Sequence, residues 1–177
     1  MLILKNGAYP FLLTDEEHFA GQCRIDAYMA SGRGGQKRNR IYSAVRATHL
    51  PTGISVIAEE SRSQLENRKR ALRRLRTAIA LRARQERWEH NIHPSITYLF
   101  GPDARDAINP KNPLYPLFCA TVLDALYREQ GKISAAAAAL GISTGRMNKF
   151  LSSDKDLFTA ANTLRAFFNL KPLTVMK

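Results

Sequence analysis

Cysteine is scarce in this chain, acidic residues are few, and no long apolar run occurs. The 177 residues hold two cysteines, Cys23 and Cys119, far apart in sequence. That spacing argues against a disulfide framework, and two free thiols in a reducing compartment are expected. Asp and Glu together number 15 against 27 Lys and Arg, for a net charge of +12 and a pI near 10.2. Such an imbalance points to a polyanionic partner, nucleic acid before an anionic membrane surface. No apolar stretch is long enough to span a bilayer, which disfavours the membrane. Met1 to Leu13 is apolar but has no basic n-region and no small-residue cleavage site, so no signal peptide is read and a cytoplasmic location is expected. His18, His49, His90 and His93 are scattered. They support neither a Ser/His/Asp arrangement nor a metal site, and no cofactor is expected.

What is present is concentrated in Ser31-Gly32-Arg33-Gly34-Gly35-Gln36-Lys37-Arg38-Asn39-Arg40. Glycines this dense open backbone angles closed to other residues and let another molecule approach the main chain. Such a loop packs no core and is expected to stand out as a tip. Arg33, Lys37, Arg38 and Arg40, with no acidic residue among them, aim it at a polyanion. The loop has no Cys, His, Asp or Glu, hence no metal ligand and no carboxylate acid or base. Gln36 remains, with an uncharged donor–acceptor side chain and a backbone N–H bared by the glycines before it. Taken alone, Gly-Gly-Gln describes an ordinary flexible turn.

Along the chain, Leu2 to Leu13 reads as an irregular or short extended entry. Thr14 is expected to cap a short helix ending near Gly21, with Glu17 closing a capping box. Cys23 to Ala30 alternates as a strand, Ile25, Ala27 and Met29 against Arg24, Asp26 and Tyr28. A second strand covers Tyr42 to Leu50. Pro51-Thr52-Gly53 is a tight hairpin turn, and Ile54 to Glu59 returns as a third strand. Ser61 or Ser63 is expected to cap a long helix reaching about Glu89, with Leu65, Leu72, Leu75 and Ile79 as its packed seam. Its other faces carry Arg62, Arg68, Lys69, Arg70, Arg73, Arg74, Arg76, Arg82, Arg84 and Arg87 against Glu66 and Glu86. Like charges this dense repel unless a polyanion neutralises them, so an RNA-facing surface is expected rather than a merely solvated face. Pro94, Pro102, Pro110, Pro113 and Pro116 make 94–116 a Pro-rich linker, with one short piece near Ile96 to Phe100. Helices come next at Leu117–Tyr127, Ile133–Leu140, Thr144–Leu151 and Leu157–Phe168. The middle pair, with its turn at Gly141-Ile142-Ser143, reads as a helix-turn-helix presenting Arg146, Asn148 and Lys149 to nucleic acid, or as a small bundle whose tight turn contacts nothing.

The flanks of the glycine loop carry a resemblance. Arg24-Ile25-Asp26-Ala27-Tyr28-Met29-Ala30-Ser31-Gly32 leads in. Asn39 stands three residues after Gln36, Tyr42 to Ile54 contains the Thr48-His49-Leu50-Pro51-Thr52-Gly53 turn, and Ser61-Arg62-Ser63-Gln64-x-x-Asn67-Arg68 comes after it. In this order they resemble the catalytic domain of bacterial-type class I peptide chain release factors, from about Thr14 to Leu81. The resemblance implies hydrolysis of the ester between a nascent peptide and tRNA in the large ribosomal subunit, with Gly34, Gly35 and Gln36 catalytic. The residues expected to bind RNA are Arg33, Lys37, Arg38, Asn39, Arg40, Arg62, Gln64, Asn67, Arg68, Lys69 and Arg73, with Arg146 and Lys149 added by the helix-turn-helix reading. The partners would be large-subunit ribosomal RNA and peptidyl-tRNA in the P site, engaged by a monomer. The chain departs from the family at Lys37-Arg38, where a His-Val or similar pair is usual, at Arg40 in place of a small polar residue, and at Arg33 in place of Ala or Pro.

The expected fold is α+β: a small antiparallel three-stranded sheet with a long packed helix, then a small all-α, helix-turn-helix-like domain. The expected domains are a catalytic domain at 1–93, the linker at 94–116 and a helical domain at 117–177. Few residues precede the loop and nothing resembles a stop-codon-reading motif, so codon-independent release on stalled ribosomes is the expected function. The alternatives are a non-catalytic ribosomal-RNA-binding protein and a helix-turn-helix DNA-binding regulator.

Overall fold

Alternation, turn residues and caps place most of the elements. The computed structural model describes residues 1–29, 42–87, 92–101 and 108–174. In chain order these are β1 (Leu2–Leu4), α1 (Tyr9–Leu12), α2 (Glu16–Gly21), β2 (Cys23–Tyr28), β3 (Ala44–His49), β4 (Ser55–Ala58), α3 (Gln64–Arg82) and β5 (Ala83–Gln85). A 3-10 helix (Pro94–Leu99), α4 (Tyr115–Arg128), α5 (Ile133–Ala139), α6 (Thr144–Ser152) and α7 (Lys155–Phe167) complete the order. The chain is α+β, with an antiparallel sheet in the order β2-β3-β4 and a separate parallel pair, β1-β5. Among the described residues no helix is long and apolar enough to cross a membrane. Cys23 and Cys119 are both free thiols.

Packing divides the chain into residues 13–79 and residues 1–12 with 80–177. The division falls inside α3 and not near residue 93, where the end of a 1–93 domain was expected. Two things move it. Residues 83–85 pair with β1 and anchor in α4 instead of continuing the helix to Glu89. The Pro-rich stretch 94–116 also packs where it is described: Ile96, Leu99, Phe100 and Ile108 are buried. Phe100 lies 6.1 Å from Phe118 and 6.2 Å from Phe150, ring to ring. Pro116 opens α4 instead of ending a linker, because proline in the first helical turn loses no hydrogen bond.

In the 13–79 unit, the cap of α2 is Asp15, one residue after the expected Thr14. Its Oδ1 accepts from His18 N–H at 2.9 Å, while the Thr14 carbonyl accepts from Arg76 Nη2 at 2.7 Å. The hydrogen bond from His18 N–H holds the Asp15 carboxyl below its usual range. In β3, Val45, Ala47 and His49 are buried and Arg46 is exposed, while Ala44 and the preceding Ser43 are buried as well. At the hairpin Gly53 takes φ +67, the left-handed region that glycine enters without penalty. His49 N–H donates to Ile54 O at 2.9 Å and Gly53 N–H to His49 O at 2.8 Å. Ser63 caps α3, its Oγ accepting from Glu66 N–H at 3.3 Å. Ala71, Leu72, Leu75 and Ile79 are buried, but Leu65 is 61% exposed. In the first turn of α3 the inward place belongs to Asn67 instead.

In the second unit, Arg84 is buried and does not belong to the outward basic face where charge counting put it. Its Nη1 lies 3.1 Å from Asp124 Oδ1, Nη2 donates to Ala80 O, and Gln85 N–H donates to the same Asp124 oxygen at 3.1 Å. Burial pushes the Asp124 carboxyl up, to about 6, against the opposing pull of Arg84. Tyr9 OH and Thr121 Oγ1, 3.0 Å apart, fasten α1 to α4. Between α5 and α6, Gly141 at φ +66 lets Ile142 N–H reach Ala137 O at 3.0 Å. Ser143 then caps α6.

A buried pair is costly to break and cheap to replace as a whole. Arg84→Met should therefore lower the unfolding free energy by about 3–5 kcal/mol, and Arg84→Met with Asp124→Leu should recover most of that. Urea denaturation checks this; equal losses in the single and double variants would contradict it.

Candidate functional site

The glycine loop leaves the sheet from a defined root. β2 and β3 pair antiparallel with Cys23 opposite His49 and Tyr28 opposite Ala44, so the strands meet at the point where the loop departs and returns. Arg46 lies over the Tyr28 ring, 5.5 Å from its centroid. Arg33, Gly34, Gly35, Gln36, Lys37, Arg38, Asn39 and Arg40 themselves lie outside the described residues.

The returning end of the root is held by one amide. Asn67 on α3 has no exposed surface. Its Nδ2 donates to Ser43 O at 2.6 Å and to Ser61 O at 2.8 Å, and its Oδ1 accepts from Ser61 N–H at 3.0 Å. Three backbone groups of two connecting segments are thereby satisfied by one side chain, which buried polar groups require. Asn67 was expected to contact RNA. Its burial and full set of partners overturn that: it positions the root and the entry to α3. The Ser61-Arg62-Ser63-Gln64-x-x-Asn67 spacing was legible; that its last member faces inward was not, because an Asn three residues into a helix looks exposed on pattern alone.

The other expected residues of this unit stay outside. Arg62, Gln64, Arg68, Lys69 and Arg73 are exposed, with no ion pair among the described residues. Their neighbours are spent on the protein itself. Arg74 donates to Ile57 O at 3.0 Å and pairs with Glu60 at 2.6 Å. Arg76 lies 4.2 Å over the Phe19 ring and holds the Thr14 and Asp15 carbonyls. Arg70 reaches Glu66 at 3.5 Å. Subtracting these leaves Arg62, Arg68, Lys69 and Arg73 as the basic surface near the start of α3, with exposed Leu65 beside them.

His49 is structural, as its place in the hairpin suggested. Its Nδ1 lies 2.9 Å from Thr52 Oγ1, Nε2 lies 3.3 Å from Gln22 Oε1, and its ring stacks on Phe19 at 5.4 Å. Burial holds its pKa below the usual imidazole value, so the unit keeps it neutral. Among the described residues there is no cluster of His, Cys, Asp or Glu able to hold a metal ion.

Arg146 and Lys149 stand one turn apart on α6 in the second unit. Lys149 is exposed. Arg146 is half-buried over the Phe150 ring at 5.3 Å, with Nε and Nη2 lacking hydrogen-bond partners among the described residues. The two lie close together on one helix, in a different unit from the α3 residues.

Asn67→Ala removes three hydrogen bonds and leaves the Ser43 carbonyl and both Ser61 backbone groups without it. At about 1 kcal/mol net for each bond, a loss of about 2–3 kcal/mol is expected in chemical denaturation, while Gln64→Ala, on the exposed side of the same box, should change stability by less than about 0.5 kcal/mol.

With this geometry in view, the comparisons with known proteins bear on the same segment. Residues 19–97 match the family model described as RF-1 domain. A peptide chain release factor 1 of Leptospira biflexa is 58% identical over 57 residues, 32% of this chain and 16% of that protein. One of Enterococcus faecalis is 52% identical over 63 residues, covering 36% and 18%. One of Streptomyces avermitilis is 46% identical over 72 residues, covering 41% and 20%. The chain thus spans no more than about a fifth of the length of these relatives. The sheet, the loop root and α3 all fall inside the matched segment, so it is over residues 19–97 that this chain is similar to the RF-1 domain.

Proposed function

We propose that this protein releases nascent peptides by hydrolysing the ester of peptidyl-tRNA on the ribosome, and that it does so on stalled ribosomes or large subunits whatever codon is present. The observation that carries the reading is the Gly34-Gly35-Gln36 tip, flanked by a register-fixed strand pair and by the Asn67 clamp, within an RF-1 domain. Codon independence rests on the sequence, in which nothing resembles a stop-codon-reading motif.

In this mechanism water attacks the ester carbonyl, the carbonyl oxygen becomes an oxyanion, and the bond to the tRNA ribose oxygen breaks as that oxygen takes a proton. The peptide leaves as a carboxylate. The Gln36 N–H stabilises the oxyanion, an arrangement typically worth a factor of about 10²–10³ in rate per donor. Gly34 and Gly35 let the backbone enter the catalytic centre. The Gln36 side chain positions water. RNA supplies the remaining groups, including the terminal ribose hydroxyl, which accounts for a loop with no acid or base of its own. Arg33, Lys37, Arg38, Asn39 and Arg40 around the tip, Arg62, Gln64, Arg68, Lys69 and Arg73 at α3, and Arg146 and Lys149 at α6 meet ribosomal RNA.

Replacing Gly35 with Ala should abolish release in a reconstituted stalled-ribosome assay and leave the unfolding midpoint unchanged. Wild-type release should be equal with sense, stop or no codon in the decoding site. Full release by the Gly35→Ala variant would remove the hydrolase reading, and release confined to stop codons would remove codon independence. Wild-type chain that binds ribosomes without releasing peptide would favour non-catalytic RNA binding instead.

The α3 surface carries its own expectation. Each phosphate contact releases condensed counterions, so binding weakens steeply with salt. Arg68→Gln, Lys69→Gln and Arg73→Gln together should lower affinity for ribosomal particles and flatten the salt slope, while stability holds or rises slightly as like-charge repulsion is relieved. An unchanged slope would show that this face is merely solvated.

A further inference from the structure

The second unit contains a cleft of about 510 Å³ that the peptide-release reading does not use. Its walls come from the chain just past β5, from the C-terminal turn of α4 and from the end of α7. Tyr127 and Phe168 form an aromatic wall, their ring centroids 5.7 Å apart and inclined at 41°. Phe167 stands edge-on to Phe168 at 5.1 Å and is itself 58% exposed. Arg87 and Arg128 line the same cleft, as do the amides of Gln85 and Gln130.

The position of these groups is fixed by the backbone. Gln130 sits at φ +53 and Gly131 at φ +78, turning the chain back at the end of α4. Arg165 then ties that turn to the end of α7, its Nη1 donating to Gly131 O at 2.5 Å and its Nε to Lys171 O at 3.0 Å. Gly131 at φ +78 lies in the left-handed region that favours glycine, and a Cβ there would come to 3.0 Å from the Leu170 side chain. On the other side, Gln85 is held through its N–H to the buried Asp124, and Glu86 N–H donates to Leu4 O at 3.0 Å.

We propose that this cleft binds a nucleotide of single-stranded RNA, its base stacked on the Tyr127–Phe168 wall and its phosphate between Arg87 and Arg128. The chemistry favours this occupant over an acidic peptide. Aromatic faces take any base and arginines take the backbone, the pairing by which proteins hold unpaired RNA. The two amides offer donors and acceptors to a base edge. Arg128 also pairs with the half-buried Glu129 at 3.7 Å, which a phosphate would have to share. The carboxylate of Glu86 also lines the cleft and disfavours a second phosphate there. The volume lies in the range of ordinary ligand sites, and the net charge of +12 draws RNA to the whole molecule. The cleft uses no residue of the glycine loop and stands whether or not that loop hydrolyses esters.

The test uses the full chain and a short fluorescein-labelled single-stranded oligoribonucleotide carrying thiouridine. Ultraviolet crosslinks mapped by mass spectrometry should include the peptide carrying Tyr127 or that carrying Phe168, besides any on α3. Phe168→Leu keeps an apolar group but removes a stacking face, and should weaken binding about fivefold or more by anisotropy. Arg87→Gln, at an exposed side chain that cannot unfold the protein, should weaken binding and reduce the salt slope by about one. Gly35→Ala should leave all these readouts unchanged, which separates failure of the cleft from failure of the loop. Crosslinks absent from both aromatic peptides, or wild-type affinity in both the Phe168→Leu and Arg87→Gln proteins, would overturn the proposal.

Discussion

The Asn67 amide is the interaction on which the 13–79 unit depends. It sits at the junction of three things: the return of the glycine loop at Ser43, the segment leaving β4 at Ser61, and the first turn of α3. A loop sequence of glycines and basic residues offers no apolar side chains from which to build a core. Direction comes from the Tyr28–Ala44 strand pair and from the carbonyl that Asn67 holds just before it. Because the amide is buried, each of those bonds is costly to leave unmade, and the root and helix entry are coupled. The proposed hydrolysis, in which the loop presents one backbone N–H, needs its base held in this way, since small displacements of a reacting group are expensive in rate.

Charge in α3 is divided between structure and surface. Arg70, Arg74 and Arg76 are committed to Glu66, to Glu60 and the Ile57 carbonyl, and to the Thr14 and Asp15 carbonyls with the Phe19 ring. Arg84 is wholly internal and binds Asp124. Arg62, Arg68, Lys69 and Arg73 are left outward near the start of the helix, and Arg82 at its end. The repulsion inferred from the raw count is therefore smaller than the sequence suggests, while the outward remainder is more localised. A polyanion would meet a compact patch near the start of the helix, not a uniformly basic rod.

Local signals made much of this readable. Period-two alternation placed β2, β3 and β4, the Pro51-Thr52-Gly53 turn placed the hairpin, Ser63 placed the start of α3, and the alanine run with the Gly141-Ile142-Ser143 turn placed α5 and α6 within a residue or two. What escaped depends on partners distant in sequence. Nothing local distinguishes Arg84 from Arg82, yet one is buried by a carboxylate forty residues away and the other is exposed. Residues 83–85 read as helix because their neighbours are helical, but β1 recruits them as a strand. Leu65 looked like core and Asn67 like surface; hydrogen-bond demand at the loop root reverses them. The Gly34-Gly35-Gln36 motif stands out in the sequence and its root reads as a strand pair, whereas the clamp required the fold.

The central claim is that the loop works only where RNA completes its chemistry. The most direct measurement compares the rate of peptide release by the wild-type chain from peptidyl-tRNA held in the ribosomal P site with its rate from the same peptidyl-tRNA free in solution. The account predicts release on the ribosome and none above background in solution. Equal rates in both, or no release from the ribosome at saturating protein, would contradict it.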